Sequence, residues 1–346
     1  MNRTRKGRPL SRLIGKLLPL PLGAVAIAVL VLAVGPPQLA AALQRFRLAA
    51  IPIVVALMLA AYAAQAWRWH YLLEDVGLRL RFRESQLLNM AGQAVTALIP
   101  IGDLTRAAFA SQASRRNFGD AAATVTVQEL SFSLIMVIVA TPGIVAVGAG
   151  ITPALLVLCG IVGVVALLTV GPVFRTVDGL IGTIPLVNRL QHQIEELQLS
   201  TVRLLRKPRT LAGLLLDLLR AVLSVTAFWL IAEQLEPGRL SWAVAAFVLT
   251  FANVGGALSM IPGGIGASEA GTVGLLVWSG MSPGAAGAMA ILQRGFVTGL
   301  AVLFGLLAYT VARRRFGLSN LTGLVLGEHP SRPPDPPCEG CMDAVA

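Results

Sequence analysis

The sequence predicts an all-α, polytopic membrane protein: about six spanning helices plus two re-entrant broken helices, arranged as an inverted repeat. Three observations carry that reading. Charged residues are too few to coat a water-facing surface, apolar runs recur at lengths near 20 residues, and two apolar regions are each interrupted by a Pro-Gly segment.

Of 346 residues, 55% are hydrophobic and 13% are charged, and the mean hydropathy is +0.75. A soluble domain carries roughly 25% charged residues, so lipid is the solvent for most of these side chains. The runs are continuously apolar rather than alternating, which selects helices over a barrel. The net charge of +11 would suggest nucleic acid in a soluble protein, but the Lys and Arg residues cluster between apolar runs. Membrane topology explains that clustering, and no nucleic-acid partner is expected. Three cysteines, Cys159, Cys338 and Cys341, form no disulfide framework.

The basic segment from Arg3 to Lys16 precedes an apolar run at 17–34, read as an uncleaved first helix. A second span runs over 48–66 and ends in Trp67, Arg68, Trp69, His70 and Tyr71, read as an interfacial aromatic belt with a snorkelling Arg. The stretch 87–113 is cut at Pro100, Gly102 and Asp103 into two pieces too short to cross, with basic residues at both outer ends. It is predicted to be a re-entrant hairpin. Spans follow at 121–147, carrying Glu129, and at 154–174; a polar connection over 175–209 holds one or two surface helices.

The span at 211–231 contains Asp217 and Arg220, three residues apart and expected to pair with each other. The second interrupted region, 241–278, breaks at Pro262, Gly263, Gly264 and Gly266, and the last span covers 285–311 before Arg313, Arg314 and Arg315. The chain thus divides into a basic segment with the first helix (1–47), a first membrane repeat (48–174), a cytoplasmic connection (175–209), a second repeat (210–312) and a disordered cytoplasmic tail (313–346). With both termini in the cytoplasm of a cell with an inner membrane, every strongly basic segment falls inside.

The halves echo each other. Ile99-Pro100-Ile101-Gly102-Asp103 is matched about 160 residues later by Ile261-Pro262-Gly263-Gly264, and each break is followed by an acid, Asp103 or Glu269. About 30 residues beyond each break a Gln stands beside a charge within a span, Gln128-Glu129 and Gln293-Arg294. Breaks entering from opposite sides are the plan of an inverted-repeat transporter, in which broken helices meet near the midplane around a polar substrate. A charge at a helix centre costs about 2.5 to 3.5 kcal/mol on insertion scales, so Glu129 and Arg294 should face a cavity or pair between the repeats.

The segments Leu98-Ile99-Pro100-Ile101-Gly102-Asp103-Leu104-Thr105-Arg106-Ala107 and Ile261-Pro262-Gly263-Gly264-Ile265-Gly266-Ala267-Ser268-Glu269-Ala270 resemble the transmembrane region of lysylphosphatidylglycerol synthases. The resemblance covers about residues 45 to 312. Gly102 and Arg106 fit the first family motif, Asp103 replaces its Glu, and Gln128-Glu129 stands where the family has a Glu-Arg pair. The resemblance implies a flippase-like protein that moves a lipid or lipid-linked polar group between leaflets. Arg106 and Arg294 would engage an anionic head group, and Asp103, Glu129 and Glu269 would position those cations or take up protons. The family's aminoacyl-transferring domain is not expected in the roughly 30 residues after the last span, so the chain is not expected to be an enzyme.

Two other readings stand beside this one: a scaffold that recruits a lipid-modifying enzyme as partner through the basic connection, and a membrane-embedded lipid-modifying enzyme. The second needs a nucleophile or metal cluster that the sequence does not present. Cys338-x-x-Cys341 has only His329 nearby, short of the four ligands of structural zinc, so no metal is expected. Gly263-Gly264-Ile265-Gly266 lacks the spacing of a dinucleotide loop and no P-loop occurs, so no cofactor is expected. Gly295 and Gly299 form a GxxxG, read as a helix-packing motif.

Overall fold

The computed structural model describes residues 32, 35–96, 103–114, 118–169, 191–259 and 264–317. All but one residue of the expected first helix, the break residues Pro100, Gly102, Pro262 and Gly263, and residues 318–346 of the tail with its two cysteines lie outside the described residues, while 313–316, expected in the disordered tail, complete the last helix. Among the described residues there is no strand, as the continuous apolar runs require. Four helical stretches are long and apolar enough to cross a membrane: Leu48–Asp75, Phe118–Ala146, Pro208–Leu235 and Pro283–Phe316.

Helix α1 (Pro36–Arg45) leads into α2 (Ile51–Asp75), which runs about nine residues beyond the expected end of its span. The polar residues from Trp67 to Tyr71 extend this helix rather than end it, because their buried faces find partners described below. A hairpin of α3 (Phe82–Thr96) and α4 (Asp103–Ser114) follows, then the long α5 (Phe118–Ala146) and the apolar α6 (Thr152–Thr169). The connection contains α7 (Gln191–Leu205), which packs on α5, and the short α8 (Pro208–Ala212).

The second half repeats the order. It comprises α9 (Leu214–Leu235), a hairpin of α10 (Trp242–Leu258) and α11 (Ala267–Trp278), and α12 (Pro283–Arg294), which continues through a π-helical turn at Gly295–Gly299 into α13 (Leu300–Phe316). The start signals are local. Ser241 caps α10 by accepting the Val244 N–H, and Ser282 caps α12, ahead of Pro283, by accepting the Ala285 N–H. Three arginines in the last turn of α13 complement its negative end, and Gly317 stops the helix in the left-handed conformation at φ 62°.

Packing relates the halves by exchange of partners. The equivalent helices α2 and α9 lie against each other antiparallel: Lys207 Nζ, just before α9, reaches the Asp75 carbonyl at the end of α2, while Arg45 and Arg47 share a crevice with Glu233 and Leu235 at the opposite end. Hairpin helix α3 packs on α13 of the second half, and its counterpart α10 packs on α5 of the first. Both contacts use a glycine. A Cβ at Gly143 of α5 would lie 2.0 Å from the Ala243 carbonyl oxygen, and one at Gly305 of α13 would lie 2.7 Å from the Met90 carbonyl oxygen. The backbones therefore touch where a side chain would separate them.

The hairpins open at opposite ends of this bundle. Around the first, Phe118 and Ala113 share an apolar cluster with Leu78 and Leu80, and Arg315 Nη2 lies 2.6 Å from Glu84 Oε1. Around the second, Arg239 Nε donates to the Gly280 carbonyl at 2.7 Å, and the Ser282 N–H donates to Glu236. The end holding the first opening also carries Arg203, Arg206, Lys207, Arg209 and Arg313 to Arg315. That asymmetry is what the positive-inside rule leads one to expect of a cytoplasmic face.

Candidate functional site

The site begins with one residue of a short helix. Arg106 lies one turn into α4, and its side chain is 0% exposed. The room for it comes from the facing helix: a Cβ at Gly92 would fall 2.2 Å from Arg106 Cγ. Burial of a guanidinium is tolerable only if its donors are matched. Nη1 donates to Asn89 Oδ1 at 3.0 Å and to Gln128 Oε1 at 3.3 Å; Nη2 donates to Asp103 Oδ1 at 3.2 Å and to Glu129 Oε1 at 2.8 Å. The indole of Trp69 closes the set, 6.0 Å from the guanidinium carbon. Gln128 is itself fixed by donating to the Gln65 carbonyl at 2.7 Å.

A second buried pair sits beside it. Arg68 of α2, 1% exposed, lies 3.3 Å from Asp217 of α9, which also accepts from Ser131 at 2.6 Å. Helices α2, α5 and α9 are thereby joined across the two halves. Two sequence expectations change here. Asp217 is bound through its Oδ2 to Arg68 and Ser131 of neighbouring helices rather than to Arg220 of its own. The aromatic belt is only partly a belt: Trp67 is exposed, but Trp69 is buried and donates to Thr124 Oγ1 at 2.9 Å, and Arg68 and His70 are buried too.

The second half holds the counterpart. Glu269, in the first turn of α11, accepts the Gly266 N–H at 2.7 Å and lies 2.9 Å from Arg294 Nε of α12. Gly266 has φ 88°, a conformation that a glycine enters without penalty and that aims its N–H at the carboxylate. Gly264, also at positive φ, stacks on Gly256 of α10, where a Cβ would meet backbone at 3.1 Å. The geometry of the first half recurs with its charges reversed. In the first half the hairpin helix bears the cation, Arg106, and the span bears the acid, Glu129; in the second the hairpin helix bears the acid, Glu269, and the span bears the cation, Arg294.

Glu129 and Arg294 therefore occupy equivalent places without pairing with each other. Each is held by the hairpin of its own half, Glu129 by Arg106 and Arg294 by Glu269. Glu129 does reach across, since Arg220 Nη1 of α9 approaches its Oε1 at 3.6 Å. Arg220 lies over the Phe132 ring, 3.7 Å from its centroid. Single-residue reasoning missed Arg68, Asn89, Gln65 and Gly92; the apolar-to-polar change after Ala66 was the only trace of them in the sequence.

A cavity between the halves adjoins a smaller pocket within the second half. The larger, about 150 Å³, is walled by Met58, Met136, Phe132, Phe228, Leu249 and Phe296, with Arg220, Tyr62, Asn253 and Gln293 as its polar groups. The smaller, about 60 Å³, contains Glu269 and Arg294 and shares Asn253, Gln293 and Val297 with the larger. The π-helical turn borders both. Its Val297 carbonyl accepts the Tyr62 hydroxyl at 2.7 Å, the kind of freed backbone group that a π turn offers. Gly295 and Gly299 belong to this turn, and nothing lies within 4 Å of a Cβ at either. Among the described residues no helix packs on these two glycines, and α2 meets the turn at Val297 instead.

The pattern of the lysylphosphatidylglycerol synthase TM region matches residues 17–305, which includes both hairpins and both ion pairs. The chain belongs to that family. No curated protein matches it. As a member of the lysylphosphatidylglycerol synthase TM-region family, it is a multi-pass membrane protein with a membrane-lipid-related role, and the buried charges lie within its family-matched portion.

Proposed function

We propose that this family member moves a lipid or a lipid-linked polar group between the leaflets of the inner membrane, with both termini in the cytoplasm. The two hairpins would be re-entrant, one from each side, and the breaks at their tips would meet at the depth of the cavities. The single observation that supports this reading is the pair of charge-reversed ion pairs, one in each half, with the Glu269–Arg294 pair lining a pocket that adjoins a cavity between the halves. A purely structural bundle has no need of that arrangement, since apolar residues of similar volume stabilise a buried position as well or better. A polar head group crossing hydrocarbon needs fixed partners along its path, and apolar walls leave its tails in lipid.

In this scheme Asp103, Glu129 and Glu269 position Arg106 and Arg294, and rocking of one half against the other opens the cavities in turn. The test is lipid flipping by purified protein in proteoliposomes. Glu269→Ala and Arg294→Ala are expected to slow flipping by about tenfold or more, the effect of losing a charge-assisted contact. Full activity in both variants, folded as judged by gel filtration, would sink the assignment of that pair.

A further inference from the structure

The four charges nearest the larger cavity are not equivalent. Arg106 is wholly buried and its guanidinium donates to four side-chain oxygens. Arg68 and Asp217 are bound to each other and are almost completely buried. Arg106 Nε and both terminal nitrogens of Arg68 are also buried without a hydrogen-bond partner, but of these three arginines it is Arg220 that lines the cavity. Its only ion pair among the described residues is the 3.6 Å approach to Glu129, too long for a hydrogen bond, and its buried Nη1 has no hydrogen-bond partner. The side chain keeps 17% of its surface exposed and forms part of the cavity wall.

Glu129 explains why that bond is weak. Its Oε1 already accepts from Arg106 at 2.8 Å, so one carboxylate oxygen faces two guanidiniums. Phe132 holds the Arg220 guanidinium in place through its ring face and supplies no acceptor. The result is a positioned, desolvated cation with an unused donor beside an apolar cavity of about 150 Å³. That is the volume of about five waters, enough for a phosphate-sized group and not for acyl chains.

We propose that this cavity binds the anionic phosphate group of an amphiphile, with Arg220 as its principal ligand and Asn253 and Gln293 as secondary donors. The anion takes the hydrogen bonds that Glu129 does not make, and no covalent step is involved. Arg106, the cation expected from the sequence to meet the cargo, is instead a positioning residue that ties up Glu129 and so leaves Arg220 available. This deepens the translocation reading and rests on it for the meaning of the site, but binding is measured separately from transport.

The experiment is native mass spectrometry of the full chain released from detergent, with phosphatidylglycerol, the phosphate-free diacylglycerol or glycerol phosphate as probe. Wild type is expected to retain phosphatidylglycerol over diacylglycerol by about tenfold, the value of one charge-assisted hydrogen-bonded contact. Arg220→Gln should bring the two lipids to near parity, Arg220→Lys should recover part of the preference, and the surface variant Arg209→Gln should leave it unchanged. Glycerol phosphate competing as well as the lipid would assign the site to a free phosphate and overturn the amphiphile. An undiminished preference in Arg220→Gln would overturn the site. If that variant fails to fold, Asn253→Leu provides the same comparison, with a weakened preference expected and an unchanged one counting against the site. Selective binding without flipping in proteoliposomes would sink translocation and leave this site standing.

Discussion

The two halves place an ion pair in the same position and treat it differently. In the first, Arg106 and Glu129 are joined by Asn89, Gln128 and Asp103 into a network with its cation fully buried. In the second, Arg294 is 25% exposed and meets Glu269 beside a cavity. The same backbone plan thus yields a fixed anchor on one side and an accessible pair on the other. The difference begins in the surrounding residues, since Gly92 admits the Arg106 side chain against α3.

The comparison breaks most completely if the halves are not oppositely inserted. In a variant with all three cysteines replaced, Glu236→Cys should react with a membrane-impermeant maleimide added to intact cells, and Lys207→Cys should react only after lysis. Labelling of both from one side would end the inverted arrangement. Next in size is the contrast in stability. Arg106→Ala leaves the Asn89 and Gln128 oxygens without their donor and Glu129 with the 3.6 Å approach of Arg220, and should cost about 3 to 5 kcal/mol, visible as a large drop in thermal unfolding temperature in detergent. Arg294→Ala leaves Glu269 with the Gly266 N–H and should cost about 1 to 3 kcal/mol. Equal losses would show that the anchor and the accessible pair are not distinct.

A smaller effect separates the two glycine contacts. Gly143→Ala drives a methyl into a backbone carbonyl at 2.0 Å and should cost about 3 kcal/mol, whereas Gly305→Ala, at 2.7 Å, should cost nearer 1 kcal/mol. The smallest belongs to the π turn, where Gly295→Ala meets open space and should change stability by less than about 1 kcal/mol. A large loss there, measured by the same unfolding assay, would restore the GxxxG to a packing role.

Much of the fold was legible before any coordinates. Apolar length marked the spans that became α2, α5, α9 and the α12–α13 helix, and the paired Pro-Gly breaks marked the hairpins. Glu129 and Arg294 stand out as costly charges within apolar runs, Asp103 and Glu269 as the acids that follow the two breaks, and Arg106 through the family resemblance. Their pairing was not legible. The sequence suggests Asp217 with Arg220, three residues apart on one helix, while the bundle brings Arg68 to Asp217 across 149 positions. Gly92 carried no mark at all, since the need for a glycine there comes from a side chain on another helix.

What the amino-acid order determined by itself was which segments enter lipid, where they break and which charges must be accommodated within them, because transfer into hydrocarbon is governed residue by residue. What only the tertiary structure decided was which charge satisfies which. Partner choice depends on distances between helices set by close backbone contacts such as Gly143 on α10, and a few ångströms there give Arg106 four side-chain acceptors and leave Arg220 Nη1 with none.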